Sequence, residues 1–231
     1  MSNTFQTYTE DQQRYIPNEP RVLVVGAGGR VGKALCEILA MRRVQVLAGS
    51  RHPENVHESE FIKAVHVDLH DSVETLAGSI KGVDAVFCVA GSRGKDLLQT
   101  DAFGVVKLIQ AAQAAGAKRF ILLSSLYALQ PEKWAEVESL RNLLNYNIAK
   151  YFADSWLVKN SDLDYTIVAP SVLTEEPPTG EIQLNPSDPQ PNPIGDVAQV
   201  LADVLDRPNT FRKVINMSGG TESIAQALAS I

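Results

Sequence analysis

Twenty residues near the start of the chain, RVLVVGAGGRVGKALCEILA at positions 21–40, constrain its fold more than any other stretch. They open on an apolar run, 22–25, that is rich in β-branched residues and short enough for a buried strand. A glycine cluster follows at once, and then Val31, Leu35, Ile38 and Leu39 recur at helical spacing. Strand, glycine turn and helix form the opening of a dinucleotide-binding βαβ unit. The spacing is G-x-x-G-x-x-G through Gly26, Gly29 and Gly32, because position 31 is Val31. Gly26 lets the chain reverse out of the strand, and Gly32 lets the helix approach the sheet. Gly28 and Gly29 keep side chains away from the backbone N–H groups. The turn Gly26, Gly28, Gly29, Arg30, Val31 and Gly32 thus offers amides and a positive helix end to a diphosphate.

With 231 residues, the chain suits a single α/β domain. Its net charge of −6 argues against nucleic-acid and anionic-membrane partners, both of which favour a basic face. Cys36 and Cys88, the only cysteines, fall in a helix and a buried strand and are expected as free core thiols. With no secretory pattern and no span-length apolar run, the expected compartment is the cytoplasm.

Residues 1–19 are polar and aperiodic, an expected tail with Tyr15 and Ile16 packing on the body; residues 20–231 are expected to form one domain. A second strand, 44–48, ends in Gly49-Ser50-Arg51. An acid here would bond the adenosine ribose and repel a 2′-phosphate. Ser50 and Arg51 instead supply a donor and a cation, which favours NADP over NAD. The third strand, 64–67, ends in Asp68 and Leu69, and the fourth, 85–89, ends in Val89, Ala90 and Gly91; both endings fall where ligands bind in this architecture. One long helix is expected over 97–115, closed by Gly116. The fifth strand, 120–123, runs into Ser124 and Ser125. A loop and a polar helical stretch around Trp134 come next, then a helix over 145–159 carrying Tyr146 and Lys150 four residues apart, on one face. The sixth strand, 165–168, leads through Pro170 and Val172 into a proline-rich segment, 174–193, expected as a long loop in which Glu175 and Glu176 are solvated. A helix (194–206), a strand (213–217) and a helix (222–231) complete the chain. The alternation implies a doubly wound parallel sheet with helices on both faces. The four histidines show no metal-ligand spacing, and no metal site is expected.

The order of VVGAGGRVG, AGSR, VDLHD, DAVFCVAGS, RFILLSS, YNIAK and LDYTIVAPSVLTEEP resembles the short-chain dehydrogenase/reductase superfamily. It is most similar to the atypical NAD(P)H-binding branch that includes flavin-reductase-like and NmrA-like proteins. The resemblance implies a Rossmann-fold domain with a small substrate region, formed by 126–145 and 171–195. It also implies a catalytic set of Ser125 (or its neighbour Ser124), Tyr146 and Lys150, with Lys150 on the nicotinamide ribose as well. The chain departs from the branch at Ala169-Pro170, where an arginine often precedes the proline.

The residues fit that chemistry. A phenol titrates near ~10, and an ammonium one helical turn away favours its ionised form. Tyr146 would then act as proton donor while Ser125 orients the substrate oxygen. The function expected is NADPH-dependent reduction of a small carbonyl-type or quinone- or flavin-type acceptor by a monomer or homodimer. Two alternatives stand beside it: a non-catalytic NADP(H) sensor, as among NmrA-like proteins, and an NAD(P)-dependent epimerase or dehydratase.

Overall fold

A computed structural model describes residues 20–231. The expected tail, with Tyr15 and Ile16, lies outside the described residues. β1 (Arg21–Val25) is buried along its apolar run. After the glycine turn, α1 (Arg30–Met41) buries Val31, Leu35, Cys36 and Leu39. β2 (Gln45–Ser50) and β3 (Ile62–His66) follow. Between β3 and the next strand lies α2 (Val73–Ile80). Ser72 caps it by accepting the Thr75 N–H, and Leu76 and Ile80 face the core. β4 (Ala85–Cys88) is buried throughout.

The helix expected over 97–115 is two elements: a π-helix, Leu97–Gly104, and then α3 (Val105–Ala114). Gly104 permits this packing, since a Cβ there would lie 2.8 Å from the Leu69 Cβ. Gly116 ends the helix at φ +76°, as expected. β5 (Arg119–Leu123) leads to a 3₁₀ turn, Pro131–Lys133, and the short α4 (Glu138–Arg141). Leu126, Tyr127, Val137 and Leu140 form a small apolar cluster there, with Trp134 packed against it. α5 (Leu144–Asn160) and β6 (Asp164–Pro170) come next.

The segment 174–193 is not one loop. Together with residue 173 it holds β7 (Leu173–Thr174), β8 (Glu181–Leu184) and β9 (Asn192–Pro193). α6 (Ile194–Asp203), β10 (Lys213–Gly219), β11 (Glu222–Ser223) and α7 (Ile224–Ala229) finish the chain.

The main sheet has the order β11-β8-β10-β6-β5-β4-β1-β2-β3. From β3 to β10 every pairing is parallel; β8 and β11 add an antiparallel edge. One apolar core joins α1, α6 and α7 to one face of the sheet, and another joins α2, α3 and α5 to the opposite face. This is the doubly wound architecture. β2 and β4 flank β1 on opposite sides, so the chain direction switches at the carboxyl ends of β1 and β4, where such sheets bind ligands. None of the described helices is long and apolar enough to cross a membrane.

Candidate active site

The glycine turn sits at that switch point. Gly26 has φ +95°, and a Cβ on it would lie 2.6 Å from the Ala90 amide nitrogen. A Cβ on Gly32 would lie 2.2 Å from the Gly26 carbonyl oxygen. These two glycines let β1, α1 and the end of β4 meet. Gly28 differs: a Cβ there would meet nothing closer than Ser50 Oγ, at 3.2 Å. Gly29 is the α1 N-cap; no side chain caps it and no acid lies in the first turn. Glycine backbone and uncapped amides therefore face the crevice, which fits a diphosphate. Val31 and Gly32 themselves are buried against the sheet.

Beside the turn, Ser50 Oγ accepts the His52 N–H at 3.1 Å, and Arg51 is exposed. Asp68 accepts from the His70 N–H and from its ring Nδ1, both at 3.0 Å. His70 Nε2 reaches Asp96 at 2.8 Å. Burial pushes the Asp68 carboxyl up, but the His70 bonds and the charges of His70 and Arg51 outweigh it and hold Asp68 below the usual carboxylate range. Leu69 and Val89 are both buried in the core.

Arg30, at the first turn of α1, pairs with Glu175 at 2.9 Å, both side chains being exposed. Glu175 is exposed outside any helix or strand, as expected of a solvated loop residue, and is engaged in this surface pair. It links the segment after β6 to the glycine turn.

At the end of β5 the two serines separate. Ser124 Oγ donates to Asp154 Oδ2 at 2.5 Å. The Ser125 hydroxyl has no partner among the described residues, and of the two it is the one free to meet a substrate. Tyr146 and Lys150 share a face of α5, with the Lys150 Nζ 5.7 Å from the Tyr146 ring centroid. Lys150 is 3% exposed; its Nζ reaches the Leu123 carbonyl at 3.4 Å and Asp101 at 3.8 Å. Burial pulls this ammonium down, but the charges of Tyr146, Asp101, Cys88 and Asp154 outweigh it, and the group stands above the usual lysine range. Pro170 is buried, its carbonyl taking the Leu126 N–H, while Val172 is half exposed.

Two buried acids beside Lys150 were missed by sequence reasoning, Asp101 in the π-helix and Asp154 on α5. A lone acid in an amphipathic helix ordinarily marks the solvent face; the signal available was the spacing of Asp154 four residues after Lys150. Burial pushes Asp154 up to about 7, its bond from Ser124 and the Lys150 charge offsetting only part of that.

Two cavities lie near these elements. One, of about 330 Å³, is lined by Tyr127, Gln130, Lys133, Glu136, Asn185 and Ser187 among others, residues of both segments expected to form the substrate region. The larger, of about 720 Å³, lies against β8 and the β10–β11 turn. Neither is walled by Tyr146 or Lys150. No cluster of metal-ligating side chains occurs among the described residues.

This switch-point sheet with its glycine cradle defines a nicotinamide-dinucleotide-binding Rossmann protein. The profile of the NAD(P)H-binding family matches residues 26–208, and the chain belongs to that family, within the atypical short-chain dehydrogenase/reductase superfamily. It is 44% identical to the oxidoreductase ylbE of Lactococcus lactis, whose crystal structure matches with a TM-score of 0.88 over 91% of this chain and 96% of that one. It is 32% identical over 220 residues to a Bacillus subtilis protein named an uncharacterized sugar epimerase, YhfK, covering 91% of this chain and all of that one. A short-chain dehydrogenase/reductase of Veillonella parvula, solved in complex with NADP, shares the fold at 15% identity and a TM-score of 0.69, over 88% of this chain and 96% of that one.

Proposed function

We propose that the protein is a cytoplasmic NADPH-dependent oxidoreductase that reduces a small carbonyl-type or quinone- or flavin-type acceptor. The observation that carries this reading is the buried Lys150 ammonium, one helical turn from Tyr146 and against the strand end that presents Ser125. Gly28, Gly29 and the first turn of α1 would hold the diphosphate, Ser50 and Arg51 a 2′-phosphate, and Lys150 the nicotinamide ribose. When bound, the nicotinamide supplies the hydride. Ser125 hydrogen-bonds the acceptor oxygen and orients it. Tyr146 gives that oxygen a proton, and Lys150 stabilises the charge left on the phenol oxygen.

The test is NADPH oxidation against a panel of aldehydes, quinones and flavins, followed by Tyr146→Phe with the best acceptor. Turnover should fall at least ~100-fold, the ordinary contribution of a positioned acid, while NADPH affinity stays unchanged. Unaltered turnover would remove Tyr146 from the reaction. A second reading, an NAD(P)-dependent epimerase or dehydratase, is supported by the name of the Bacillus subtilis relative. It requires a retained cofactor, seen as nucleotide released when the purified protein is denatured.

A further inference from the structure

We infer that Asp101 is a positioning residue for the Tyr146–Lys150 pair: its carboxylate is the counter-ion that keeps the buried Lys150 ammonium charged and held across the end of β5. The inference rests on the function proposed above, in which Lys150 acts as a cation.

A buried ammonium faced only by a carbonyl loses its proton more easily than one in water, because desolvation penalises the charged form. Lys150 meets one backbone carbonyl, that of Leu123, so the question is which anion faces it. α5 supplies Tyr146 and Asp154, β4 supplies Cys88 and the π-helix supplies Asp101. Burial pushes the Cys88 thiol up to about 11 and Asp154 up to about 7, so the first is neutral and the second half-protonated near pH 7. Tyr146 is the acid that the reaction itself consumes. Asp101 remains, fully buried, with Oδ1 3.8 Å from the Lys150 Nζ.

Asp101 is itself fixed. The Ser92 N–H donates to Oδ2 at 3.1 Å, and a Cβ on Gly91 would lie 3.3 Å from Oδ1, so the loop after β4 closes on the carboxylate. Its place in a π-helix is consistent with a local widening that serves a site. The same carboxylate thus joins the loop expected beside the cofactor ribose to the lysine expected to bond it.

The test reads Lys150 directly. The full chain is labelled with lysine carrying ¹³C at the ε carbon, the Lys150 resonance is assigned by its loss in Lys150→Arg, and its titration is followed with pH. In the unaltered chain Lys150 should keep its proton through the range in which exposed lysines lose theirs. In Asp101→Asn, which retains an acceptor for Ser92, the midpoint should fall by about one pH unit or more, and Asp101→Glu should restore it. With any acceptor that turns over, the alkaline limb of kcat in Asp101→Asn should move down with that midpoint, while rates at lower pH recover. An unchanged midpoint, or a uniform rate loss with an unchanged pH profile, would overturn the inference and leave the proposed function standing. If Asp101→Asn does not fold, a Lys150 in the unaltered chain that deprotonates before the exposed lysines would overturn it equally. A shifted midpoint in a protein that turns over no acceptor would instead refute the proposed function and keep the ion pair.

Discussion

Asp154 links a single carboxyl to the stability of the whole domain. It is fully buried, its Oδ2 takes the Ser124 hydroxyl and its Oδ1 has no partner. Burial raises its pKa to about 7, whereas an aspartate in the unfolded chain titrates near ~3.9. Below both values the group is protonated in both states and contributes nothing. Between them the folded state keeps a proton that the unfolded state releases, so stability falls as pH rises, by about 1.4 kcal/mol per pH unit. Across the gap of about 3 units this sums to about 4 kcal/mol, complete once the pH passes 7. Asp154→Asn preserves the shape and an acceptor for Ser124 but cannot ionise. Urea unfolding of the two proteins from pH 5 to 8 should therefore diverge. The variant should gain about 2–3 kcal/mol on the unaltered chain over that interval. The orphaned amide N–H shifts its curve by a constant only, and all other titrations cancel in the difference. Parallel curves, differing by a fixed amount at every pH, would refute the reasoning and place Asp154 in an environment no drier than the unfolded chain's.

Other outcomes follow from the same geometry. Gly28→Ala should fold normally, since its Cβ would meet only the movable Ser50 side chain, yet weaken NADPH binding at least ~10-fold by entering the diphosphate cradle; calorimetric titration with an unchanged melting temperature checks it. Gly32→Ala, whose Cβ would lie 2.2 Å from the Gly26 oxygen, should instead lower the melting temperature sharply or prevent folding. Arg51→Ala should cost NADPH about 10-fold in affinity, the worth of a charge-assisted contact, and leave NADH within twofold by fluorescence titration; equal losses would remove the 2′-phosphate assignment.

The parts legible in the sequence were those whose information is local. β1, its turn and α1 are written in one continuous stretch, because glycine spacing and apolar period act over a few residues. Tyr146 and Lys150 were legible for the same reason, being one helical turn apart. β8 was hidden although Glu181-Ile182-Gln183-Leu184 alternates as a strand should, because prolines on both sides of it read as loop. α2 is short and carries only two fully buried apolar side chains, too few to set a period. The π-helix kept the apolar composition of the α-helix that it replaces. Arg30 and Glu175 are 145 positions apart, and Asp101 and Lys150 meet only across packed elements. No pattern within a single segment encodes such pairings, which depend on how the sheet is assembled.

The sheet order also bears on how the protein is made. β10 lies between β6 and β8, so residues 213–219 fill an interior place although they are among the last strands to be synthesised. Until they emerge from the ribosome, β6 presents an unpaired edge, and the core that α6 shares with α1 lacks Ile215 and Met217 of β10. Nascent chains carrying everything from the glycine turn to β6 would thus be sticky rather than half-folded and serviceable. Cells producing this protein would depend on chaperone holding late in translation, and a premature stop between β6 and β10 would yield an aggregating fragment, not a smaller nucleotide-binding domain.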